Sequence, residues 1–199
     1  MKKNLLIKSV LVAIVFCLSI VARTASANMG NLNFYAGAGL DYIKYSAKYV
    51  NSNGWGILVP VLGIKFCDHF GVEAGYSFNK KLRTKNRSFR VNNANLKVNN
   101  AYLDVIGFIP ILDWVDVIAG VGIGRLMVKK GANIASALEI KNRFNWRAKL
   151  GTQCNVNDNF GIRALLTYQN VGNKIKYRTK EKKFVKDMTS LGLYAIWTF

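Results

Sequence analysis

The chain has 199 residues and carries 29 lysines and arginines against 10 acidic residues, so its net charge is +19 at neutral pH. One histidine and widely separated cysteines do not provide the ligands of a metal site. After residue 27 no stretch offers 18 uncharged apolar residues, which excludes a transmembrane helix there on length.

The N-terminal segment has the three parts of a secretory signal peptide. A charged start, Met1–Asn4, precedes the 14-residue apolar core Ser9–Ala22 and the small-x-small site Ala25–Ala27. The core is too short to span a membrane as a helix, although an uncleaved anchor is the alternative. We predict cleavage after Ala27, so that residues 1–27 are a signal peptide and the remaining 172 residues, 28–199, form one exported domain.

Two segments of the exported part resemble each other at a spacing of 90 residues. They are DHFGVEAGYSF, which starts at Asp68, and DNFGIRALLTY, which starts at Asp158. Each follows a run that ends in turn residues. Each is therefore predicted to be the tight turn and second strand of a β-hairpin.

Alternation around these hairpins predicts eight antiparallel strands. Their expected bounds are Asn33–Tyr45, Gly54–Cys67, Phe70–Phe78, Asn100–Leu112, Val115–Val128, Asn142–Cys154, Phe160–Gln169 and Met188–Phe199. Short turns alternate with longer connections at residues 46–53, 79–99, 129–141 and 170–187. This layout is typical of an eight-stranded up-and-down transmembrane β-barrel.

Along most of the predicted strands, every second residue is apolar and the residues between are mostly polar, glycine or charged. We call these two sets of positions the apolar parity and the polar parity. In the sixth predicted strand, Trp146 and Leu150 alternate with Arg147 and Lys149. A soluble barrel hides its apolar face, whereas a membrane barrel turns it outward. An eight-stranded interior has room only for side chains, and the glycines and paired charges of the polar parity suit that space. We therefore expect the polar parity to face the lumen.

Buried charge must be neutralised in such a narrow lumen. We expect Lys65 and Glu73 to face each other across the first hairpin, because they are symmetric about its turn. Glu73 and Arg163 occupy equivalent positions of the repeat with opposite sign. The predicted lumen ion network comprises Asp41, Lys65, Glu73, Asp104, Arg147, Lys149 and Arg163.

The first strand FYAGAGLDY, the hairpin NDNFGI and the uncharged terminal segment LGLYAIWTF resemble the small OmpA-type and opacity-type outer-membrane β-barrel family. The resemblance covers the whole exported domain and implies residence in the bacterial outer membrane. In that family the alternating last strand ending in Phe is recognised by the outer-membrane assembly machinery. The resemblance thus implies that Leu193, Trp197 and Phe199 form an assembly signal.

The excess positive charge falls on one side of the predicted barrel. The four long connections carry net charges of +1, +7, +2 and +5, whereas the strands and short turns together hold seven charges of each sign. A basic rim attracts polyanions such as lipopolysaccharide or host glycans. The candidate polyanion-binding residues are Lys80, Lys81, Arg83, Lys85, Arg87, Arg90, Lys174, Lys176, Arg178, Lys180, Lys182 and Lys183.

Several functions remain open at this point. The protein is expected to be a monomer that is structural or binds polyanions, either its own lipopolysaccharide or host glycans in adhesion. The alternatives are a narrow porin of small conductance and a soluble periplasmic lipocalin-like binding protein. We expect neither an enzyme nor a cofactor, because the only histidine, His69, lies in a predicted inner turn. Cys67 and Cys154, on distant strands, are expected to be free thiols.

Overall fold

The computed structural model describes residues 32–46, 53–66, 69–83, 95–129, 138–141, 144–177 and 180–199. The predicted signal peptide and Cys67 lie outside these residues. The described part is all β, and it contains no helix with the length and apolarity needed to cross a bilayer. Its strands are β1 (Leu32–Ser46), β2 (Asn53–Phe66), β3 (Phe70–Arg83), β4 (Asn95–Leu112), β5 (Val115–Lys129), β6 (Leu138–Lys141), β7 (Phe144–Asn155), β8 (Phe160–Tyr177) and β9 (Lys180–Thr198).

Eight long antiparallel strands close into a ring. Around the ring the order is β1, β2, β3, β4, β5, β7, β8 and β9, and β9 pairs back to β1 from Tyr35↔Thr198 to Ser46↔Asp187. The C-terminal residue takes part in the closure, because the Phe199 amide donates to the Phe34 carbonyl at 2.8 Å. The predicted eight-stranded antiparallel barrel is confirmed, with β6 as a ninth, four-residue strand beside β8.

Apolar side chains cover the outside of the ring. Exposed large hydrophobic residues include Phe34, Leu40, Trp55, Ile57, Leu62, Leu103, Val121, Trp146, Leu150, Leu166, Leu193 and Trp197. Their lumen-facing neighbours along the strands include buried charges such as Glu73, Lys149 and Arg163. Lipid, and not water, is the solvent that suits such an exterior.

Aromatic side chains mark the two edges of this apolar band. Trp146 lies 5.3 Å from Tyr168 between ring centroids near the long-connection end, and Trp197 lies 5.9 Å from Phe160 near the short-turn end. Amphipathic rings concentrate at the level of the lipid headgroups. The two girdles therefore define the depth at which the barrel sits.

Two of the register irregularities lie at residues with special backbones. The β1–β2 and β2–β3 registers both shift between Leu58 and Val61, where Pro60 cannot donate to a ladder. The β8–β9 register shifts between Asn170 and Asn173, and Gly172 there has a φ of +53°, a conformation that glycine adopts without strain.

Several predicted strand ends are wrong by more than two residues. β3 continues to Arg83, β4 begins at Asn95, and most of the connection predicted at residues 170–187 is the continued β8–β9 hairpin. The predicted strands end where the alternation of apolar and polar residues ends. Above the membrane both faces of a strand meet water, so backbone pairing can continue without that alternation.

Candidate functional site

Glu73 is the centre of the polar layer inside the barrel. Its carboxylate accepts from Lys149 Nζ at 2.6 Å, from Arg163 Nη1 at 2.5 Å, and from the hydroxyls of Tyr35 and Tyr102 at 3.1 Å each. Its side chain is only 1% exposed. Four donors satisfy both oxygens of a buried carboxylate, which offsets the cost of removing the charge from water.

A second carboxylate extends the same layer. Asp104 lies 2.8 Å from Lys149 Nζ and 3.2 Å from Arg147 Nε, so Lys149 bridges Asp104 and Glu73. Asp41 accepts a hydrogen bond from the Tyr194 hydroxyl. These three acids and the three cations Arg147, Lys149 and Arg163 carry equal and opposite charge. The structure thus joins five of the seven residues of the predicted network by ion pairs, whereas Asp41 is bound by Tyr194.

Lys65 is the exception, and its predicted partner is wrong. Glu73 pairs with Gly63, whereas Lys65 pairs with Gly71. In the observed register, Phe66 is opposite Phe70. Pairing Lys65 with Glu73 would require a hairpin centred one residue further along the chain. Lys65 lies nearer the short-turn end, with its ammonium 4.8 Å from the centroid of the Phe108 ring.

Three tyrosines of the lumen were missed by the sequence reasoning. Tyr35, Tyr102 and Tyr194 each lie opposite a glycine of a neighbouring strand, at the pairs Tyr35↔Gly63, Tyr102↔Gly75 and Tyr194↔Gly39. A Cβ added at Gly63 would lie 2.1 Å from Cζ of Tyr35, and the other two pairs are equally close. The glycines therefore make room for rings whose hydroxyls bind the buried carboxylates. A tyrosine at lumen parity opposite a glycine is the signal that would have found them.

Arg163 is also held by an uncharged partner. Its Nε and Nη2 donate to Gln153 Oε1 at 2.9 and 2.8 Å. The guanidinium is thereby fixed on two sides, by Gln153 and by Glu73, and it is only 1% exposed. Such a fork geometry suits arginine more than lysine.

Apolar side chains fill the lumen above the polar layer. Ile43, Val98, Leu126, Val171 and Met188 belong to a cluster that is at most 5% exposed and is drawn from strands on opposite walls. At the short-turn end a cavity of about 270 Å³ opens between Lys65, Phe108, Gln153 and Arg163. Side chains thus occupy most of the barrel interior, as expected for eight strands.

Those candidate polyanion-binding residues that the structure describes lie at the other end. The structure places Lys80, Lys81 and Arg83 in β3, Lys174 and Lys176 in β8, and Lys180, Lys182 and Lys183 in β9. Lys85, Arg87, Arg90 and Arg178 lie outside the described residues. Strands β6, β8 and β9 together form a three-stranded extension above the ring.

The remaining candidate residues have simple surroundings. His69 is exposed in the turn between β2 and β3 and its carbonyl accepts from the Phe108 amide at 2.7 Å. Cys154 has a free thiol, and within the described ranges no group of His, Cys, Asp and Glu is arranged to hold a metal ion.

The residues of the predicted assembly signal lie on the outside of the barrel. Leu193, Trp197 and Phe199 are 60%, 52% and 72% exposed on the lipid-facing side of β9 and its end.

The family model for the outer membrane protein β-barrel domain matches residues 11–193. The chain belongs to this family. It is therefore a bacterial outer-membrane β-barrel, as its apolar exterior and closed ring indicate. The lipocalin-like alternative, with its apolar face inward and a periplasmic location, is wrong. No curated protein matches the chain.

Solved outer-membrane barrels are similar to it in fold. Neisserial surface protein A shares 15% identity over 83% of this chain and 97% of its own, with a TM-score of 0.65. OprG from Pseudomonas aeruginosa shares 12% identity over 84% and 95%, with a TM-score of 0.60. Ail from Yersinia pestis, in complex with the heparin analogue sucrose octasulfate, shares 16% identity over 84% and 97%, with a TM-score of 0.53. At these identities the likeness is one of fold alone.

Proposed function

We propose that this outer-membrane barrel is a non-enzymatic surface protein whose basic outer rim binds polyanions. The observation that carries the proposal is the separation of charge. The four segments 46–53, 79–99, 129–141 and 170–187 hold the entire excess of +15 expected after signal cleavage, whereas the rest of residues 28–199 is neutral. Charge confined to one rim creates a positive potential there and attracts anionic partners.

The first partner is the protein's own lipopolysaccharide, whose phosphates and carboxylates lie beside the rim. The second is a sulfated glycan of a host, bound in adhesion. Ail, a barrel of the same fold, was crystallised with a sulfated sugar, which favours this chemistry. Both partners present dense negative charge on sugars, so one basic surface serves for either.

The packed interior favours this function over the narrow porin. A conducting path would have to pass the apolar cluster around Ile43 and Leu126 and then the paired charges around Glu73. Opening either layer would expose unpaired buried charge or apolar surface. We therefore expect small conductance or none, and a monomeric barrel.

The lipid-facing end of β9 supports a role in assembly. Leu193, Trp197 and Phe199 project outward on the strand that closes the ring, and the Phe199 amide bonds to β1. We infer that the outer-membrane assembly machinery recognises this strand before closure, when its edge is still unpaired.

Neutralising the basic segment 80–90, which begins in the last residues of β3, should weaken polyanion binding and leave the barrel folded. We expect replacement of Lys80, Lys81, Arg83, Lys85, Arg87 and Arg90 by Ser to reduce affinity for heparin and for lipopolysaccharide vesicles about 100-fold at low salt. This corresponds to about 0.5 kcal/mol for each exposed charge pair. The measurement is a binding titration of the protein folded in detergent.

The matched control exchanges Lys for Arg and Arg for Lys at the same six positions, which keeps the charge and should keep most of the affinity. Raised salt should weaken the wild type and the control together. Unchanged affinity of the serine variant at low salt would contradict the proposal.

A further inference from the structure

The cavity at the short-turn end of the lumen is large enough for a small molecule. Its volume of about 270 Å³ lies just below the range of about 300–1,000 Å³ that is usual for ligand pockets. Apolar groups of Phe108 and Ile196 form part of its wall, and polar groups form much of the rest. Because the short turns of outer-membrane barrels face the periplasm, a ligand enters this cavity from the periplasm.

One wall of this cavity carries a positive charge beside an amide. Lys65 of β2 is directly opposite Asn33 of β1, and both residues line the cavity. Lys65 is partly buried, and no carboxylate of the described residues forms an ion pair with it. Arg163 also lines the cavity, but its guanidinium is already bound by Glu73 and Gln153. An ammonium and an amide NH2 on neighbouring strands are donors that suit a carboxylate.

The opposite wall carries negative charge. In the ring of eight long strands, β7 is four strands from β2 in either direction, so the β7–β8 turn lies across the lumen from Lys65. Asp158 of that turn and Asp113 of the β4–β5 turn line the cavity and are exposed, so they lie at its mouth. Two carboxylates at the mouth attract a cationic group and repel a polyanion.

We propose that this cavity binds a short zwitterionic peptide from the periplasm. The carboxylate of the peptide accepts from Lys65 and Asn33, and its ammonium lies at the mouth beside Asp113 and Asp158. The charges of the cavity lie on opposite walls, so a dipeptide suits it better than a single amino acid, whose two charges are closer together. The site is at the other end of the barrel from the basic rim and goes beyond the proposed polyanion binding.

Three ligands test the two charges of the peptide separately. Alanyl-alanine has both charges, its C-terminal amide lacks the carboxylate, and its N-acetyl derivative lacks the ammonium. Each ligand is titrated into the exported domain folded in detergent and followed by ligand-observed NMR. We expect alanyl-alanine to bind and each derivative to bind about tenfold more weakly, the usual effect of losing one charged hydrogen bond.

Variants of the cavity assign the two ends of the ligand. Lys65→Gln should weaken binding of alanyl-alanine about tenfold and remove its advantage over the amide. Asp113→Asn combined with Asp158→Asn should remove its advantage over the N-acetyl derivative. Lys44→Gln is the matched control, because it removes an exposed lysine from the outer face of β1, and it should bind as the wild type does. Gel mobility without boiling verifies that each variant is folded.

Two results with the wild-type protein would overturn the site without any variant. They are an absence of alanyl-alanine binding and equal binding of all three ligands. Equal losses in Lys65→Gln and Lys44→Gln would overturn it as well, because the peptide would then respond to the general charge of the barrel. The proposed polyanion binding is tested at the opposite rim and would stand in each of these cases.

Discussion

Replacing Glu73 by Gln should destabilise the barrel by about 3–5 kcal/mol, the usual cost of removing one partner from a buried ion pair. The amide cannot accept from four donors, and its NH2 group would meet the ammonium of Lys149 or the guanidinium of Arg163. Lys149 would retain Asp104, but Arg163 would lose its only carboxylate contact among the described residues. The lumen would carry one unbalanced positive charge.

Urea unfolding in lipid vesicles, followed by tryptophan fluorescence, measures this loss. Asp158→Asn, an equal charge change at an exposed turn residue, is the matched control and should stay within about 0.5 kcal/mol of the wild type. Adding Arg163→Met to Glu73→Gln should recover part of the stability, because the unpaired cation is removed with its partner. A loss below about 1 kcal/mol for Glu73→Gln would contradict the assigned network.

Replacing Leu150 by Arg should cost about 2–4 kcal/mol, because this outward position lies at mid-depth of the apolar band. Leu150 is 58% exposed and is opposite Ala119 and Leu166 on the neighbouring strands. Its neighbour Lys149 carries a charge without penalty only because it faces the lumen carboxylates. Adjacent residues of this strand thus have opposite environments: Lys149 is paired with carboxylates in the lumen, and Leu150 faces hydrocarbon.

The matched control is Asn170→Arg, an outward position at the end of the band, where the same charge should cost about 0–1 kcal/mol. Both variants are compared by reversible unfolding in vesicles of the same lipid. Equal and small losses at the two depths would mean that the wall at Leu150 contacts water.

The sequence was sufficient for the fold because the membrane imposes strict alternation on every strand it surrounds. Trp146 and Leu150 could be assigned to one face and Arg147 and Lys149 to the other without any knowledge of the partners. Strand ends outside the membrane were missed, since no such constraint acts there. Strand β6 has no alternation of its own and depends on its pairing with the extended β8.

The polar layer was predictable in composition but not in detail. Glu73 and Arg163 could be related through the 90-residue repeat, and they bind each other at 2.5 Å. The partner of Lys65 could not be fixed, because a one-residue change in the centre of a turn moves every pairing of the hairpin by two. The tyrosine hydroxyls depended on glycines of neighbouring strands, which only the register reveals.

The most direct test of a closed barrel with its apolar face in lipid is gel mobility of the exported domain folded in detergent, unboiled beside boiled. Because hydrogen bonds run continuously around the eight strands, the barrel should stay folded in dodecyl sulfate without heating and unfold when the sample is boiled. We predict two different mobilities, with the boiled sample running as the unfolded chain. One mobility for both samples, together with solubility after detergent removal, would contradict the account.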